Sequence, residues 1–211
     1  MNYSSDWIDI TLPLDDKLIS WKDENAYQVK QYASIDRGDP ANTSLMRADL
    51  HAGTHIDAPL HFIENGAAVE TIELSLLMGK VYVVEIDVPL ITRAHLEEAQ
   101  IPSVKRLLFK TRNHELYKKD RFSTDFTALA LDGAQWVLER GIKLVGIDYL
   151  SIEPFSNHEF PVHKALLGAS TVILEGLYLE NVTPGFYSLL ALPMKVTGVE
   201  AAPVRVFLIP G

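Results

Sequence analysis

The eleven residues from His51 to His61 contain three of the seven histidines in the chain, together with Asp57. Neutral imidazole nitrogens and a carboxylate oxygen are suitable ligands for Zn²⁺ or Mn²⁺, and three protein ligands leave coordination positions open for water. A divalent ion in such a site lowers the pKa of bound water from about 15.7 toward about 7, which supplies a nucleophile without a serine or a cysteine. The segment therefore predicts a catalytic metal site.

The local sequence of this segment predicts an extended conformation. Gly53 and Pro59 disfavour a helix, and a residue that precedes proline is biased toward extended backbone. With a period of two residues, positions 51, 53, 55 and 57 lie on one side of a strand, so His51, His55 and Asp57 converge. Because Gly53 has no side chain, we expect the ion to occupy the gap that it leaves. The alternative is a hydrogen-bonded polar turn without an ion.

His61 lies just beyond the conformationally restricted Ala58-Pro59 step. This separation favours a position beside the ion over direct ligation. Histidine titrates near neutral pH and can carry a proton in either direction. We therefore expect His61 to be the general acid and base of the reaction.

The composition excludes several classes of protein. The chain has 211 residues, of which 47% are hydrophobic, and 19 Lys and Arg against 28 Asp and Glu give a formal net charge of −9. This balance argues against a nucleic-acid partner, because phosphate binding needs a basic surface. The sequence contains no cysteine, so disulfides and thiolate ligands are excluded. With no signal peptide and no apolar run of about 18 residues, we expect a cytoplasmic protein that does not bind membranes.

The elements that must position these residues are mostly strands. The hydrophobic pattern predicts helices at 92–99 and 127–140 and a shorter helix at 162–167. Irregular alternation of strands and helices favours an α+β fold, with one domain over residues 1–211 built on a mixed, mainly antiparallel sheet or barrel-like core with flanking helices. No GxGxxG or P-loop motif is present. The predicted strands are 7–14, 81–86, 107–110, 144–147, 171–174, 187–192 and 204–209.

The metal-site segment resembles the HxGTHxDxPxH signature of the cyclase-like metal-dependent hydrolases, and the chain looks most similar to the kynurenine formamidase branch. The segment reads His51-Ala-Gly-Thr-His-Ile-Asp-Ala-Pro-Leu-His61. Further matches follow in order along almost the whole chain: Asp125-Phe-Thr-Ala, Gly146-Ile-Asp, Ser151-Ile-Glu-Pro, Ile173-Leu-Glu-Gly and the stretch from Leu190-Ala-Leu-Pro to Ala202-Pro-Val-Arg.

The resemblance implies a role for each of several residues. It implies a swivelling β/β/α fold, a dimer or tetramer, and two Zn²⁺ per chain, with Mn²⁺ as the other candidate. It assigns the general acid/base role to His61 and substrate contact to Trp21. From the residues alone, His163 opens a predicted helix, and Glu175 follows a predicted apolar strand. The ligands implied for the two ions are His51, His55, Asp57, His163 and Glu175.

The function that the resemblance implies is an arylformamidase, which hydrolyses N-formylkynurenine to kynurenine and formate. One alternative is an enzyme with the same metal core that opens a cyclic amide such as isatin, or cleaves another small amide. A second alternative is a non-catalytic protein that binds a metal or a small molecule. The sequence departs from the family pattern after Trp21, where Lys22-Asp23-Glu24-Asn25 replaces a Pro-Gly-Asp turn, and at Val162-His163, where formamidases often carry paired histidines.

Overall fold

The computed structural model describes residues 7–24, 26–119 and 121–211. Its helices are α1 (Leu74–Leu77), α2 (Arg93–Glu98), α3 (Leu131–Glu139) and α4 (Pro161–Gly168), and short 3₁₀ turns include Trp21–Asp23, Pro59–His61 and Arg112–Lys118. The strands are β1 (Ile8–Asp9), β2 (Tyr27–Ala33), β3 (Thr43–Ala48), β4 (His55–Asp57), β5 (Met78–Glu85), β6 (Leu90–Ile91), β7 (Arg106–Lys110), β8 (Ala128–Leu129), β9 (Leu144–Ile147), β10 (Val172–Glu175), β11 (Gly185–Pro193) and β12 (Ala201–Pro210).

The main sheet closes into a barrel. Its strand order is β1-β12-β11-β5-β7-β9-β10-β4, and β4 also pairs with β12, so the seven strands from β12 to β4 form a ring with β1 beside it. The pairs β5–β7, β7–β9 and β9–β10 are parallel, and the other five pairs of this sheet in the described chain are antiparallel. The predicted α+β fold on a mixed, mainly antiparallel sheet is confirmed.

Alternate residues of the barrel strands face two different apolar cores. Leu108 of β7 and Leu174 of β10 belong to one buried cluster, whereas Leu107, Phe109 and Ile173 belong to a second. The parallel strands are buried on both faces, because helices cover one face while the barrel core fills the other. The second cluster includes side chains from α2, α3 and α4, namely Leu96, Ala134, Val137, Val162 and Leu166.

The predicted helix at 127–140 is wrong in its first turn. Ala128 and Leu129 form a strand that pairs in parallel with Leu90 and Ile91, and α3 begins only at Leu131. The backbone N–H of Leu129 donates to the carbonyl of Ile152, so this segment is hydrogen-bonded to another part of the same chain and not within a helix. The predicted strand at 7–14 is also shortened, to β1 and an isolated bridge at Thr11.

Strands β2 and β3 form a separate hairpin that the hydrophobic pattern did not predict. Most of its residues are exposed, including the apolar side chains of Val29, Tyr32 and Leu45. A strand that buries neither face lacks the period-two alternation by which strands are recognised in sequence.

The described part of the chain contains no helix long and apolar enough to cross a membrane.

Candidate metal centre

The barrel holds the segment predicted as the metal site at the point where the ring closes. β4 lies between β10 and β12, with Asp57 opposite Ile173 on one side and Ala201 on the other. His55 and Asp57 point to the same side of this strand, as a period of two requires, while Ile56 joins the barrel core. His51 reaches the same place from a turn, so the predicted extended conformation is correct only for residues 55–57.

The prediction that the ion occupies a gap at Gly53 is wrong. Gly53 lies in the turn with φ +66°, and a Cβ at this position would lie 2.9 Å from the Leu14 side chain, so its open side faces leucines. Its carbonyl oxygen lies 3.0 Å from Nδ1 of His55. The glycine is needed because the backbone is left-handed here and packs tightly against Gly176, where a Cβ would meet the Gly53 carbonyl.

The buried part of the site consists of His55, Asp57 and Glu175. Glu175 ends β10 directly opposite His55 in the register, which brings its Oε2 to 3.4 Å from His55 Nε2. The same nitrogen lies 3.5 Å from Oδ1 of Asp57. One ligand atom from each residue lies within 4.8 Å of the others, a spacing suitable for one ion.

His163 joins this group from the first turn of α4. Its Nε2 lies 3.2 Å from Glu175 Oε1 and 3.8 Å from Asp57 Oδ2. Asp57 therefore presents Oδ1 toward His55 and Oδ2 toward His163. The structure brings together all five residues that the resemblance implies as ligands, and Asp57 and Glu175 are the two carboxylates that face more than one histidine.

The partly exposed side of the site consists of His51 and His61. The 3₁₀ turn Pro59–His61 carries the His61 ring back to 4.2 Å from the His51 ring, centroid to centroid. His51 Nδ1 lies 3.1 Å from Asp57 Oδ1, and ligand atoms of His51, Asp57 and His61 lie within 4.8 Å of one another. This spacing suits a third ligand as well as a proton carrier, so the predicted role of His61 stays a prediction.

Three buried atoms of the site make no hydrogen bond of normal geometry within the described chain, although His51 Nδ1 lies near one of them. They are Nε2 of His55 and both carboxylate oxygens of Asp57. A buried carboxylate without partners costs several kcal/mol unless a cation or a donor compensates it. These atoms belong to the residue types that bind zinc and manganese, so the donor set fits a divalent ion.

The charges of the site separate its histidines into two kinds. Burial alone would lower the pKa of His55 and His163, but carboxylates oppose it. Glu175 lies beside both rings, Asp57 is a further neighbour of His55, and Glu153 is a further neighbour of His163. These carboxylates raise the pKa to about 9 for His55 and about 10 for His163. Burial lowers the pKa of His61, which favours its neutral form. For Asp57, neighbouring His51 and His55 outweigh burial and hold the carboxyl pKa well below its usual range.

Glu153 is a residue of the site that the motif did not identify. It is 2% exposed, and its Oε2 lies 3.1 Å from Nδ1 of His163. Its neighbour Ile152 donates its backbone N–H to Glu175 Oε1 at 2.7 Å. The available signal was a lone acidic residue between apolar ones, Ile152 and Pro154, in the stretch Ser151-Ile-Glu-Pro.

Trp21 lies in a cluster of aromatic side chains. Its ring centroid is 4.8 Å from Phe122, 6.4 Å from Phe126 and 5.6 Å from Phe155. In the turn that follows, Lys22 and Asp23 both adopt positive φ, near 55°, where a residue with a Cβ is strained. A nearby contact is the 2.6 Å hydrogen bond from the Phe122 backbone N–H to Asp23 Oδ1. The predicted contact of Trp21 with substrate stays a prediction.

Comparison with known families and sequences gives consistent matches. The family described as "Putative cyclase" matches residues 8–154. "Cyclase-like protein 3" of Oryza sativa subsp. japonica is 40% identical over 218 residues, covering 96% of this chain and 79% of the relative. A kynurenine formamidase of Sphingopyxis alaskensis is 35% identical over 205 residues, covering 95% of this chain and 96% of the relative.

Solved structures share the fold over nearly the whole chain. A protein described as a "potential metal-dependent hydrolase with cyclase activity" superposes with a TM-score of 0.83 at 35% identity, covering 96% of each chain. Isatin hydrolase A from Labrenzia aggregata superposes with a TM-score of 0.82 at 21% identity, covering 97% of this chain and 94% of that one. At this lower identity, the second match supports the fold alone.

Proposed function

Because this chain belongs to the cyclase family and has its metal-dependent hydrolase fold, we propose that it hydrolyses the carbon–nitrogen bond of an aryl formamide. N-formylkynurenine is the proposed substrate, with kynurenine and formate as products. The observation that carries the proposal is the set of buried ligand atoms of His55 and Asp57 that lack normal hydrogen bonds, beside a histidine that is only partly buried, His61. Buried ligands suit a retained ion, and the accessible histidine suits proton exchange with substrate and water.

Two divalent ions, proposed as Zn²⁺, would be held by the residues around Asp57. His51, His55 and Asp57 would hold one ion, and Asp57 would also reach the second. His163 would bind the second ion, and Glu175, which faces both His55 and His163, would contact both ions. When bound, such ions lower the pKa of water and polarise a carbonyl oxygen. Mn²⁺ is the second candidate, because imidazole and carboxylate ligands also suit it.

His61 is the proposed proton carrier of the reaction. Its lowered pKa keeps the imidazole neutral at pH 7, so a ring nitrogen can accept a proton from the attacking water. His61 then donates this proton to the nitrogen of the leaving aniline. The His51 ring, 4.2 Å away, and the Phe62 ring, 4.1 Å away, hold the imidazole in place.

The aromatic cluster around Trp21 is the proposed site for the aryl group of the substrate. Phe155 packs against Trp21 and lies two residues from Glu153, which contacts His163. The short segment from Glu153 to Phe155 therefore connects the aromatic cluster around Trp21 to the proposed metal centre. Aromatic rings pack favourably against one another in offset or edge-to-face arrangements, which suits an aniline leaving group.

The test is hydrolysis of N-formylkynurenine by the full chain, with Zn²⁺ or Mn²⁺ added separately after chelation. We expect turnover that disappears with the chelator and returns with one of the ions. Isatin and simple formamides, run at the same enzyme concentration, identify the preferred substrate among small amides. A chain that turns over none of these substrates, but loses thermal stability on chelation, would be a metal-binding protein without this activity.

We also propose that copies of the chain associate through the β2–β3 hairpin. Tyr32 and Leu45 are each 63% exposed and Val29 is 50% exposed, and an isolated two-stranded hairpin is marginally stable in water. Covering these apolar side chains with a second copy would stabilise the hairpin. Sedimentation of Leu45→Asp should show dissociation, whereas Leu74→Asp, at another exposed leucine, should sediment like the wild type.

A further inference from the structure

Glu153 is a buried carboxylate to which the proposed reaction assigns no role, yet four donors surround it. Its Oε2 accepts the backbone N–H groups of Val162 and His163, both at 2.9 Å, and lies 3.1 Å from Nδ1 of His163. Its Oε1 accepts a hydrogen bond from Nδ2 of Asn157 at 2.7 Å. Because a buried carboxylate is unfavourable without such donors, its position is strongly determined by these four groups.

The contact with Nδ1 determines which nitrogen of His163 is available as a ligand. Both oxygens of Glu153 accept hydrogen bonds from N–H donors, so Glu153 is the acceptor in this contact as well and the hydrogen lies on Nδ1 of the imidazole. Nε2 then faces the rest of the site, 3.2 Å from Glu175 and 3.8 Å from Asp57. A histidine that ligates a metal commonly donates its other N–H to a carboxylate, which orients the ring and raises its basicity.

We infer that Glu153 is a positioning residue of the metal centre, which holds His163 in the tautomer and orientation that bind a divalent ion through Nε2. This inference rests on the proposed function, because it assumes that an ion binds at His163. Glu153 acts through His163 alone and has no assigned contact with the substrate. Its bonds to the first N–H groups of α4 also fix the backbone that carries the ring.

The competing explanation is that Glu153 only caps α4. A carboxylate at a helix N-terminus satisfies N–H groups and interacts favourably with the helix dipole. Loss of a cap lowers the free energy of unfolding, but it does not change the tautomer of a histidine in the folded protein. The two roles therefore differ in zinc affinity and in the protonation of His163.

The experiment compares the wild-type chain with Glu153→Gln, Glu153→Ala and a control, Glu139→Gln. Glutamine retains an oxygen that can accept the helix N–H groups but removes the charge, so this variant should fold. Glu139 pairs with Arg93 on the surface and is a matched control. Zinc affinity is measured by competition with a chromophoric chelator, and the His163 tautomer by nitrogen NMR of the zinc-loaded protein.

We expect zinc affinity at the weaker of the two sites to fall about tenfold in Glu153→Gln and about 100-fold in Glu153→Ala, the range found for such outer partners. The control should match the wild type, whose zinc-loaded His163 should carry hydrogen on Nδ1. Zinc affinity unchanged in both Glu153 variants, or wild-type His163 with hydrogen on Nε2, would overturn the inference. A wild-type chain that binds no zinc would instead contradict the proposed function, and the inference with it.

Discussion

The two sides of the metal centre share Asp57 but differ in their exposure to solvent. On the inner side, His55 is 1% exposed and Glu175 is 3% exposed, and both belong to barrel strands. On the outer side, the His51 side chain is 26% exposed, and His61 lies on a short 3₁₀ turn. The inner side is held by paired strands of the sheet, whereas the outer side is open to solvent.

This difference separates the tasks that a hydrolytic centre must perform. Buried carboxylates raise the pKa of the inner histidines, so without an ion these side chains hold protons that a cation can replace. His61 on the outer side has a lowered pKa and is ready to accept a proton. We therefore propose that the strands retain the ion and that the turn carries out proton transfer, so that the two sides can be perturbed separately.

The largest effect is expected from Asp57→Asn, which removes the charge common to both sides. The variant should lose both ions and reduce kcat/KM by about 10⁴-fold, because a bound ion supplies several kcal/mol of transition-state stabilisation. Metal analysis and steady-state kinetics measure this. Asp87→Asn, at an exposed aspartate, is the control. Retention of both ions by Asp57→Asn would show that the centre is not built around this residue.

The next largest effect is expected from His61→Ala, which perturbs the outer side alone. Metal content and folding should be unchanged while kcat falls by roughly 10²–10⁴, the usual contribution of a positioned acid or base. The control is His95→Ala, which removes an imidazole that accepts a hydrogen bond from the backbone N–H of Thr92. Loss of an ion from His61→Ala would reassign His61 as a ligand, which its spacing from His51 and Asp57 allows.

The same variant distinguishes proton donation from substrate positioning. An aniline nitrogen must be protonated as the bond breaks, whereas an activated aryl ester has a leaving group that needs no proton. His61→Ala should therefore retain a larger fraction of wild-type activity on the ester than on a formanilide. Equal fractional losses on both substrates would remove the general-acid assignment.

A third prediction compares the ligands themselves. His55→Ala should weaken zinc binding at least about tenfold more than His51→Ala, because buried groups left unpaired cost about 1–3 kcal/mol while water can replace an exposed ligand. Without His55, its partners Asp57 and Glu175 would also face each other with less compensating charge. Titration of each variant with zinc against a chelator decides the order. Equal losses would mean that the two sides do not differ as ligands.

A smaller effect is expected from Trp21→Ala, which lies outside the metal centre. Removing the ring should raise KM for an aryl formamide about tenfold with little change in kcat, since one aromatic contact contributes about 0.5–1.5 kcal/mol beyond its buried area. Zinc content should be unchanged. The control is Trp136→Phe, a conservative change at a buried tryptophan of α3 that belongs to neither the aromatic cluster nor the proposed metal centre. An unchanged KM would place the aryl group elsewhere.

The smallest effect is the pH dependence of the metal-free protein. The folded pKa values of His55 and His163 are raised above 6.5, to about 9 and about 10. Their protonation therefore stabilises the fold fully below pH 6.5, and this contribution is lost as the pH rises through 9 to 10. Thermal unfolding in chelator should show Tm falling steadily as the pH rises across this window. Zinc-loaded protein should not show this decrease, because the ion replaces the protons, and equal slopes would contradict the assignment.

Much of the fold was predictable because its strands either alternate apolar and polar residues or consist of short runs of apolar residues. The segments at 107–110 and 144–147 are found as predicted, since buried parallel strands produce short runs of branched residues. The hairpin β2–β3 was missed because it buries neither face, and residues 128–129 were assigned to a helix because pairing with β6 leaves no local signal. The local hydrophobic pattern indicates burial, so it misses strands that are exposed, such as β2 and β3, or only two residues long, such as β8.

The sequence by itself determined the chemistry of the site: a dense group of histidines around Asp57, one histidine set apart by Pro59, and no thiol in the chain. Only the tertiary structure decided how these groups meet. Glu175 comes opposite His55 through the register of β10 with β4, and His163 reaches Asp57 from α4. Glu153 enters the site through a contact of shorter range, with His163 ten residues further along the chain. The contacts of Glu175 with His55 and of His163 with Asp57 join positions more than a hundred residues apart. No local spacing encodes them, because they depend on the closed sheet.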